Sequence, residues 1–156
     1  MHPAVLSLEQ IIVRFGPGKR NGKRVVFTNG CFDLLHPGHI HMLEEARQFG
    51  DVLIVGINSD ESVRALKGPD RPWRLAEERA EILSNLECVD AVVIFEELTP
   101  QKVIAALLPD VLVKGKDWPE DEIVGREEVE ATGGKVVRID LFPGYSTTQI
   151  LKKIRG

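Results

Sequence analysis

The stretch TNGCFDLLHPGHIHMLEEA, from Thr28 to Ala46, joins the end of an apolar run to a segment with helical periodicity. It contains three of the four histidines in the chain, together with an Asn-Gly pair and a His-Pro-Gly-His sequence. The apolar run that leads into it, RVVFTN (24–29), is typical of a buried strand. The stretch therefore predicts a strand that passes through a glycine-containing turn into a helix, with His36 and His39 at the junction.

The rest of the chain repeats this alternation of apolar runs and helical segments. Continuous Val, Ile and Leu runs are expected in parallel sheets that are covered on both faces. Further strands are predicted in DVLIVGIN (51–58), AVVIF (91–95), DVLVKG (110–115) and KVVRID (135–140). Helices are predicted at 38–49, 61–66, 75–86, 100–108 and 124–132, with flanking helices at 8–15 and 147–154. We therefore predict an α/β fold with a doubly wound, five-stranded, Rossmann-like parallel sheet and right-handed crossovers.

Length and composition favour a single globular domain. A chain of 156 residues with 43% hydrophobic residues can bury a sizeable core. We divide it into an N-terminal helix and linker at 1–22 and a main domain at 23–156. The stretch GPGKRNGKR (16–24), at the junction of the two, is expected to be a mobile surface turn or linker. The expected organisation is one domain with a short N-terminal extension.

Charge, hydropathy and cysteine content exclude several classes of function. The formal charge is −4, apolar runs are far shorter than the ~20 residues of a membrane span, and no leader sequence precedes Leu6. Cys31 and Cys88 lack metal-ligand spacing, which suits a reducing compartment. We therefore expect a cytoplasmic protein that binds neither nucleic acid nor membranes.

The junction before the second predicted helix is suited to an anion. In doubly wound sheets the ligand lies beyond the carboxyl ends of the strands, where the strand order reverses. A helix N-terminus there offers unpaired N–H groups and a partial positive charge, and Gly30 and Gly38 allow a close approach of the backbone. His36 and His39 are three residues apart and can turn toward the same ligand. The alternative is that these histidines cap the helix or pack in the core.

Two short motifs at opposite ends of the chain reveal a resemblance. HPGH resembles the HxGH signature of the nucleotidyltransferase superfamily that is related to class I aminoacyl-tRNA synthetases, and YSTTQI (145–150) resembles its second signature. The words FTNGCFDLLHPGH, VGINSD, LKG, RP, ER, LVKGKDW and GYSTTQIL follow in order from Lys23 to Lys153. This order closely resembles the heptose 1-phosphate adenylyltransferase domain of lipopolysaccharide precursor synthesis, which is known alone and fused to a sugar kinase. The resemblance identifies 23–156 as a nucleotidyltransferase domain.

The resemblance implies transfer of AMP from ATP to D-glycero-D-manno-heptose 1-phosphate with Mg²⁺, giving ADP-heptose and pyrophosphate. The attacking phosphate is already anionic near neutral pH, because its second pKa is about 6. Such a reaction needs positioning and charge stabilisation more than a general base. A site of histidines, lysines, arginines and backbone amides is consistent with that requirement.

The resemblance also implies roles for individual residues. His36 and His39 would contact the triphosphate and stabilise the transition state, and Lys67 and Arg79 would reach phosphates. Asp33 either orients substrate hydroxyls or is a turn residue. The remaining implied nucleotide and substrate contacts are the backbone around Thr28 and Asn29, Gly30, Phe32 and Gly38, then Lys114 and Asp117, and finally Ser146, Thr147 and Thr148 at the start of the last helix.

Several nearby residues have no assigned role in this scheme. His41 falls outside the signature and is expected to be structural or on the surface. Arg71 and Arg74, in LKGPDRPWR (66–74), are expected to be solvated. Trp73 and Trp118 either stack on a base or cover the core.

Other partners and functions follow from the same resemblance. A separate heptose kinase is expected to supply the sugar phosphate, and a homodimer is suggested by analogy. The alternative enzyme is a cytidylyltransferase that acts on glycerol 3-phosphate or phosphoethanolamine, although many of these have an aspartate at the position of Asn29. An aminoacyl-transfer enzyme is disfavoured because no KMSKS-like lysine loop is present, and a non-catalytic nucleotide-binding regulator would not need both signatures.

Overall fold

The computed structural model describes residues 2–116 and 119–140 together with Ile154. Five parallel strands form one sheet with the order β3-β2-β1-β4-β5, which confirms the predicted α/β fold and its doubly wound sheet. The predicted C-terminal helix at 147–154 lies outside the described residues except for Ile154. The strands are β1 (Val25–Gly30), β2 (Val52–Asn58), β3 (Ala91–Phe95), β4 (Val111–Gly115) and β5 (Lys135–Ile139).

Six α-helices and a short 3₁₀ helix are found among the described residues. The sequence predicted the positions of the helices to within a few residues, but it did not predict the 3₁₀ helix. No helix in this part of the chain is long and apolar enough to cross a bilayer. The helices are α1 (Leu8–Phe15), α2 (Pro37–Arg47), α3 (Asp60–Lys67), α4 (Ala76–Ser84), α5 (Gln101–Leu107) and α6 (Arg126–Ala131), and the 3₁₀ helix is Glu120–Glu122.

Both faces of the sheet are covered, and the strand side chains alternate between two apolar clusters. In β1, Val25 and Phe27 belong to the cluster that includes side chains of α1, α5 and α6, whereas Val26 belongs to the cluster that includes side chains of α2 and α4. Because successive strand residues point to opposite faces, a strand covered on both sides must be apolar at every position. This explains the continuous apolar runs of β2 and β3.

The strand order reverses at β1. The chain builds β1, β2 and β3 outward in one direction, then crosses through α5 on the opposite face and lays β4 against the other side of β1. β1 pairs with β2 from Val25 to Gly30, but it pairs with β4 only at Val26 and Phe27. The strands β1 and β4 therefore stop pairing at their carboxyl ends, where doubly wound sheets bind ligands.

The segment 16–24 is anchored to the domain. Arg20 donates from Nε to the carbonyl of Phe15 and from Nη2 to the carbonyls of Leu107 and Leu108, and its Nη1 donates to Asp110. These bonds hold the segment against the end of α5 at the amino edge of the sheet. The composition of the segment does not reveal this bonding partner 90 residues away, and the expected mobility of the turn stays a prediction.

We predict that the packing of β2 against β1 tolerates no side chain at Gly56. A Cβ atom there would lie 2.7 Å from Cζ of the buried Phe27. Gly56→Ala should lower the free energy of unfolding by about 1–3 kcal/mol, as for other overpacked cores. Urea denaturation measures this loss.

The combination with Phe27→Leu provides the control for this prediction. Removal of the ring makes room for the new methyl group, so the double variant should be more stable than the sum of the two single changes implies. Additive effects of the two substitutions would contradict the assigned contact.

Candidate active site

Side chains from β1 and β4 meet at the point where the two strands stop pairing. Thr28 is buried, and its hydroxyl donates to the carbonyl of Val113 at 3.0 Å. One residue further along each strand, Nζ of Lys114 lies 3.4 Å from Oδ1 of Asn29. The structure therefore brings together Asn29 and Lys114, two predicted site residues that are 85 positions apart in the sequence.

The helix that follows β1 begins with the two histidines. His36 is the N-cap residue of α2, Pro37 occupies the first helical position, and the buried Gly38 comes next. Nδ1 of His36 accepts the backbone N–H of His39, and Nδ1 of His39 accepts the backbone N–H of His36, both at 3.4 Å. This role usually belongs to Ser, Thr, Asp or Asn. His36 therefore caps α2, as one of the alternatives predicted. The capping hydrogen bonds use the Nδ1 atoms of both imidazole rings.

These capping bonds also determine which nitrogen of each ring carries the hydrogen, namely Nε2. A neutral imidazole that accepts a hydrogen bond at Nδ1 carries its hydrogen at Nε2. The two rings stack with their centroids 3.7 Å apart and an interplanar angle of 20°. The backbone hydrogen bonds thus assign a tautomer in which the paired rings of His36 and His39 are Nε2–H donors.

Both histidines are held in the neutral form. Burial lowers the pKa of His39 to about 4, with smaller electrostatic contributions from the neighbouring His36 and Lys67 side chains. Burial also lowers the pKa of His36. At neutral pH the imidazoles therefore act as hydrogen-bond donors, and the positive charge beside them comes from Lys67 and from the N-terminus of α2.

Phe32 and Gly30 shape the turn between β1 and the histidines. Phe32 is buried with a φ of 48°, and its ring meets that of His39 edge-on at 5.1 Å. A Cβ atom on Gly30 would lie 2.9 Å from the Phe32 ring, so glycine is required for this close approach. Phe32 packs against one side of His39 and restricts the orientation of its imidazole.

A cavity of about 470 Å³ opens beside this cluster at the carboxyl edge of the sheet. Four predicted site residues line it, namely Asn29, Gly30, Lys67 and Lys114, whereas His36 and His39 are not among its lining residues. The remaining wall is largely apolar. It is formed by Cys31, Asn58, Leu66, Leu98, Thr99, Pro100, Leu112, Glu122, Ile123 and Val124.

A larger groove of about 730 Å³ lies along the 3₁₀ helix and α6. Its lining includes Asp121, Glu122, Glu127, Glu128 and Glu130. With five carboxylates against one arginine, Arg126, this surface repels phosphate anions, whereas the smaller cavity has two lysines against one carboxylate, Glu122. We therefore place the site for an anionic ligand in the smaller cavity.

Asn58 is the principal cavity residue that sequence reasoning missed. It is buried, its Nδ2 donates to Oγ of Ser62 at 2.9 Å, and its Oδ1 lies 3.7 Å from Sγ of Cys31. Its place at the end of β2 was a usable signal, because the carboxyl ends of neighbouring parallel strands share one edge. The same reasoning applies to Leu98 and Thr99, which follow β3.

Asp33 makes the contacts expected of a turn residue, and its role toward substrate hydroxyls stays a prediction. Its carboxylate is buried and accepts hydrogen bonds from Nε of Arg71 at 2.6 Å and from the backbone N–H groups of Trp73 and Arg74 at 2.8 and 3.0 Å. Burial alone raises the pKa of Asp33, but these hydrogen bonds and the Arg71 charge hold it below its ordinary value. Asp33 fastens the loop between α3 and α4 to the turn that precedes the histidines.

The neighbouring residues differ in their exposure. The side chain of Arg71 is only 12% exposed, so the expectation that it is solvated was wrong, whereas Arg74 is 46% exposed as expected. Trp73 is half exposed, so it does not cover the core. His41 is on the surface beside Glu44, which confirms its expected position.

Arg79 occupies a different place from the one that sequence reasoning suggested. Its side chain is fully buried and donates to backbone carbonyls and to Asp60. The guanidinium is inside the protein and engaged by the fold, so the expected contact with a phosphate stays a prediction that these surroundings do not favour. The resemblance pointed to an arginine near the predicted site. It did not show that the Arg79 side chain is buried and bonded to carbonyls and a carboxylate of the protein.

Some predicted site residues lie outside the described part of the chain. These are Asp117, Ser146, Thr147 and Thr148, and Trp118 is outside it as well. Within the described residues, no group of three or more His, Cys, Asp or Glu side chains is placed to hold a metal ion. Mg²⁺ prefers oxygen ligands, so neutral histidines and lysines do not suit it.

Comparison with protein families gives a match over most of the chain. The sequence model of the family described as Cytidylyltransferase-like matches residues 27–153. The bifunctional protein HldE of Methylobacillus flagellatus is 51% identical over 150 residues, which are 96% of this chain and 31% of that protein. The bifunctional protein HldE of Geobacter sulfurreducens is 57% identical over 136 residues, which are 87% of this chain and 28% of that protein. The chain thus spans about a third of the length of these relatives.

Two solved structures share the fold. The lipopolysaccharide core biosynthesis protein from Thermoplasma volcanium has a TM-score of 0.66 and 31% identity, over 78% of this chain and 99% of that one. A pantoate-beta-alanine ligase from Francisella tularensis has a TM-score of 0.61 and 14% identity, over 97% of this chain and 76% of that one. At that identity the second similarity shows the fold alone.

We predict that the neutral state of His39 makes the stability of the protein depend on pH. The pKa of His39 is lowered from 6.5 to about 4 in the folded state, so the unfolded chain takes up this proton first. The free energy of unfolding should fall as the pH falls from about 6.5 toward 4. Denaturant titrations across that range measure the slope.

His39→Gln should reduce this slope, because glutamine does not titrate. His41→Gln is the matched control, since His41 lies on the surface and its replacement should leave the slope unchanged. Equal slopes for the parent and His39→Gln would refute the assignment of a buried neutral imidazole.

Proposed function

The chain belongs to the cytidylyltransferase-like family of nucleotidyltransferases, and we propose that it transfers AMP from ATP to D-glycero-D-manno-heptose 1-phosphate, with ADP-heptose and pyrophosphate as products. The observation that carries this proposal is the stacked pair of neutral histidines at the N-terminus of α2, next to a cavity with two lysines. This arrangement suits the transfer of a phosphoryl group between two polyanions.

The chemistry needs stabilisation of charge more than proton transfer. An oxygen of the sugar phosphate attacks the α-phosphorus of ATP, a new P–O bond forms, and the bond to the β-phosphate breaks to release pyrophosphate. The attacking oxygen is already anionic because the second pKa of a phosphate monoester is about 6. The protein must therefore align two anions and stabilise the charge that develops between them.

The two histidines act as donors to the α-phosphoryl oxygens. Their capping bonds at Nδ1 orient the rings, and their Nε2–H groups require no further protonation to donate. The N–H groups at the start of α2 add a partial positive charge. Lys67 and Lys114 supply the full charges that offset repulsion between the substrates.

The sugar phosphate occupies the cavity of about 470 Å³. Lys67 and Lys114 attract its phosphate, and the hydroxyl of Thr99 and the carboxylate of Glu122 are available to the sugar hydroxyls. The apolar side chains of the wall pack against the C–H groups of the ring. Glycerol 3-phosphate is smaller and would fill this space less completely.

Two further lines of support favour a heptose phosphate and ATP. The words LVKGKDW (112–118) and GYSTTQIL (144–151) resemble those of the adenylyl branch. The Thermoplasma volcanium relative is named as a lipopolysaccharide core biosynthesis protein. By the same resemblance we assign Asp117 to the nucleotide or sugar, and Ser146, Thr147 and Thr148 to the β- and γ-phosphates.

Mg²⁺ would enter with ATP, coordinated by phosphate oxygens, because the described side chains near the histidines do not offer a suitable set of oxygen ligands. The reaction uses ATP and a heptose 1-phosphate, so we place it in the cytoplasm, after a kinase that forms the sugar phosphate.

We predict that His36→Ala and His39→Ala each lower the turnover number by ~100-fold or more, the usual effect of losing one transition-state donor. The affinity for ATP should change less, because the lost bond is strongest in the transition state. Pyrophosphate release at saturating substrate measures the loss. His41→Ala is the control and should keep parental turnover, since His41 is on the surface.

A small effect in either variant would argue against this role. Turnover within about threefold of the parent, in a folded His36→Ala or His39→Ala protein, is too small for a lost transition-state donor.

We also predict a sharp preference for one nucleotide. A site with fixed donors and acceptors rejects a wrong base because buried polar groups are left unpaired. ATP should exceed CTP by at least ~10-fold in kcat/KM with heptose 1-phosphate, about 1.4 kcal/mol in transition-state binding.

Parallel assays decide between the two branches of the family. All four nucleoside triphosphates are tested with heptose 1-phosphate and with glycerol 3-phosphate. If CTP with glycerol 3-phosphate is the best pair, the chain is a cytidylyltransferase and the proposed substrate is wrong. If no pair releases pyrophosphate, the chain is a binding protein.

A further inference from the structure

Arg79 joins the carboxyl ends of two strands through a single nitrogen atom. Its Nη1 donates to the carbonyls of Cys31 and Asn58, both at 2.8 Å. Cys31 directly follows β1, and Asn58 is the last residue of β2. The two carbonyls belong to segments that leave the sheet toward different helices, so the bridge holds the beginnings of both connections together.

The other nitrogens of Arg79 extend this bridge to the helices. Nη2 donates to Oδ1 of Asp60 at 2.9 Å, and Nε donates to the carbonyl of Arg74 at 2.9 Å. The same Asp60 oxygen accepts the backbone N–H of Ala76 at 2.8 Å. Since Asp60 begins α3 and Ala76 begins α4, one guanidinium connects two strand ends and two helix starts.

The segments that Arg79 connects carry the reacting groups of the proposed site. The chain after Cys31 leads to His36 and His39, and the chain after Asn58 leads through α3 to Lys67. Lys67 is close enough to His39 for its charge to affect the imidazole. The separation between the lysine and the histidine pair therefore depends on how the two strand ends are held.

We propose that Arg79 is a positioning residue, which sets the distance between the histidine pair and Lys67 by holding the carboxyl ends of β1 and β2 together. This inference rests on the proposed function. The planar guanidinium presents several donors in a rigid fork, whereas lysine offers one compact ammonium group. A lysine ammonium group at this position cannot reach all four acceptors of the Arg79 guanidinium. Misplacement of catalytic groups by ~1 Å can cost 100-fold in rate, so small losses of alignment are measurable.

Arg20 provides a matched control at the opposite edge of the sheet. It also makes four hydrogen bonds, to three backbone carbonyls and one carboxylate, and its side chain is only 13% exposed. Its partners are Phe15, Leu107, Leu108 and Asp110, which lie at the amino ends of the strands. A purely structural role for Arg79 predicts the same consequences for Arg79→Lys and Arg20→Lys.

The test compares the two variants in stability and in catalysis. Both should lose stability in urea denaturation, because each leaves buried carbonyls unpaired. Only Arg79→Lys should also lose turnover, by at least ~10-fold, with the KM for ATP within about threefold of the parent. Equal turnover in the two variants would overturn the proposal. A raised KM with unchanged kcat would also overturn it, because it would mean that Arg79 binds the substrate.

A second readout does not require turnover. The pKa of His39 is followed by NMR of its Cε1–H group in the absence of substrates, and in the parent it should be about 4. Burial is the largest cause of the lowered His39 pKa, and Lys67 is the smallest of three. If Arg79 holds Lys67 near His39, Arg79→Lys should therefore raise this pKa slightly, whereas Arg20→Lys should leave it unchanged. An unchanged His39 pKa in Arg79→Lys would overturn the proposal even if the enzyme had a different substrate.

Asp60→Ala serves as the second variant if Arg79→Lys does not fold. Asp60 is partly exposed, and its removal takes away the carboxylate that orients the guanidinium, so the bridge from Nη1 is held less firmly. We expect Asp60→Ala to lower kcat and to raise the His39 pKa, as Arg79→Lys does, but with a smaller loss of turnover. Parental kcat and a parental His39 pKa in this variant would count against the proposal.

Discussion

The divergence of β1 from β4 is the constraint on which the rest of this structure depends. β1 pairs with β4 only at Val26 and Phe27, although it pairs with β2 along its whole length. The reason is topological, because β4 arrives from the far edge of the sheet and α5 covers the opposite face from α2. The strand ends beyond Phe27 therefore direct polar side chains into a crevice. Asn29 and Lys114 meet there.

The site combines neutral donors with a few well-placed charges. Burial keeps His39 uncharged, and the backbone bonds at the start of α2 orient its ring. A second layer of polar groups supports these donors without facing the ligand. Asp33 holds the loop before α4, and Arg79 holds the strand ends. Because the hydrogen bonds of this layer are made within the protein, its residues stabilise geometry, and the lysines that line the cavity are the charges proposed to face a substrate.

Local sequence patterns predicted the fold and part of the site. Apolar runs such as 51–58 and 91–95 have the composition of strands covered on both faces, and this property can be read within a few residues. Asn29 and Lys114 could be placed together because each lies at the carboxyl end of its strand, at the same edge of a parallel sheet. His36 and His39 could be paired because residues three apart are neighbours on a helix. Each inference used a spacing that is visible in the chain itself.

The sequence alone thus determined the α/β class and the approximate helices and strands, and it predicted an anion site before α2. Only the tertiary structure decided which polar residues are buried and what they bind. Arg71 and Arg79 have the same composition signals as solvated arginines, but their partners Asp33 and Cys31 lie 38 and 48 residues away. The burial of a charged side chain depends on acceptors supplied by distant segments, so no local pattern contains that information. That is why the donors could be identified from the sequence and the residues that position them could not.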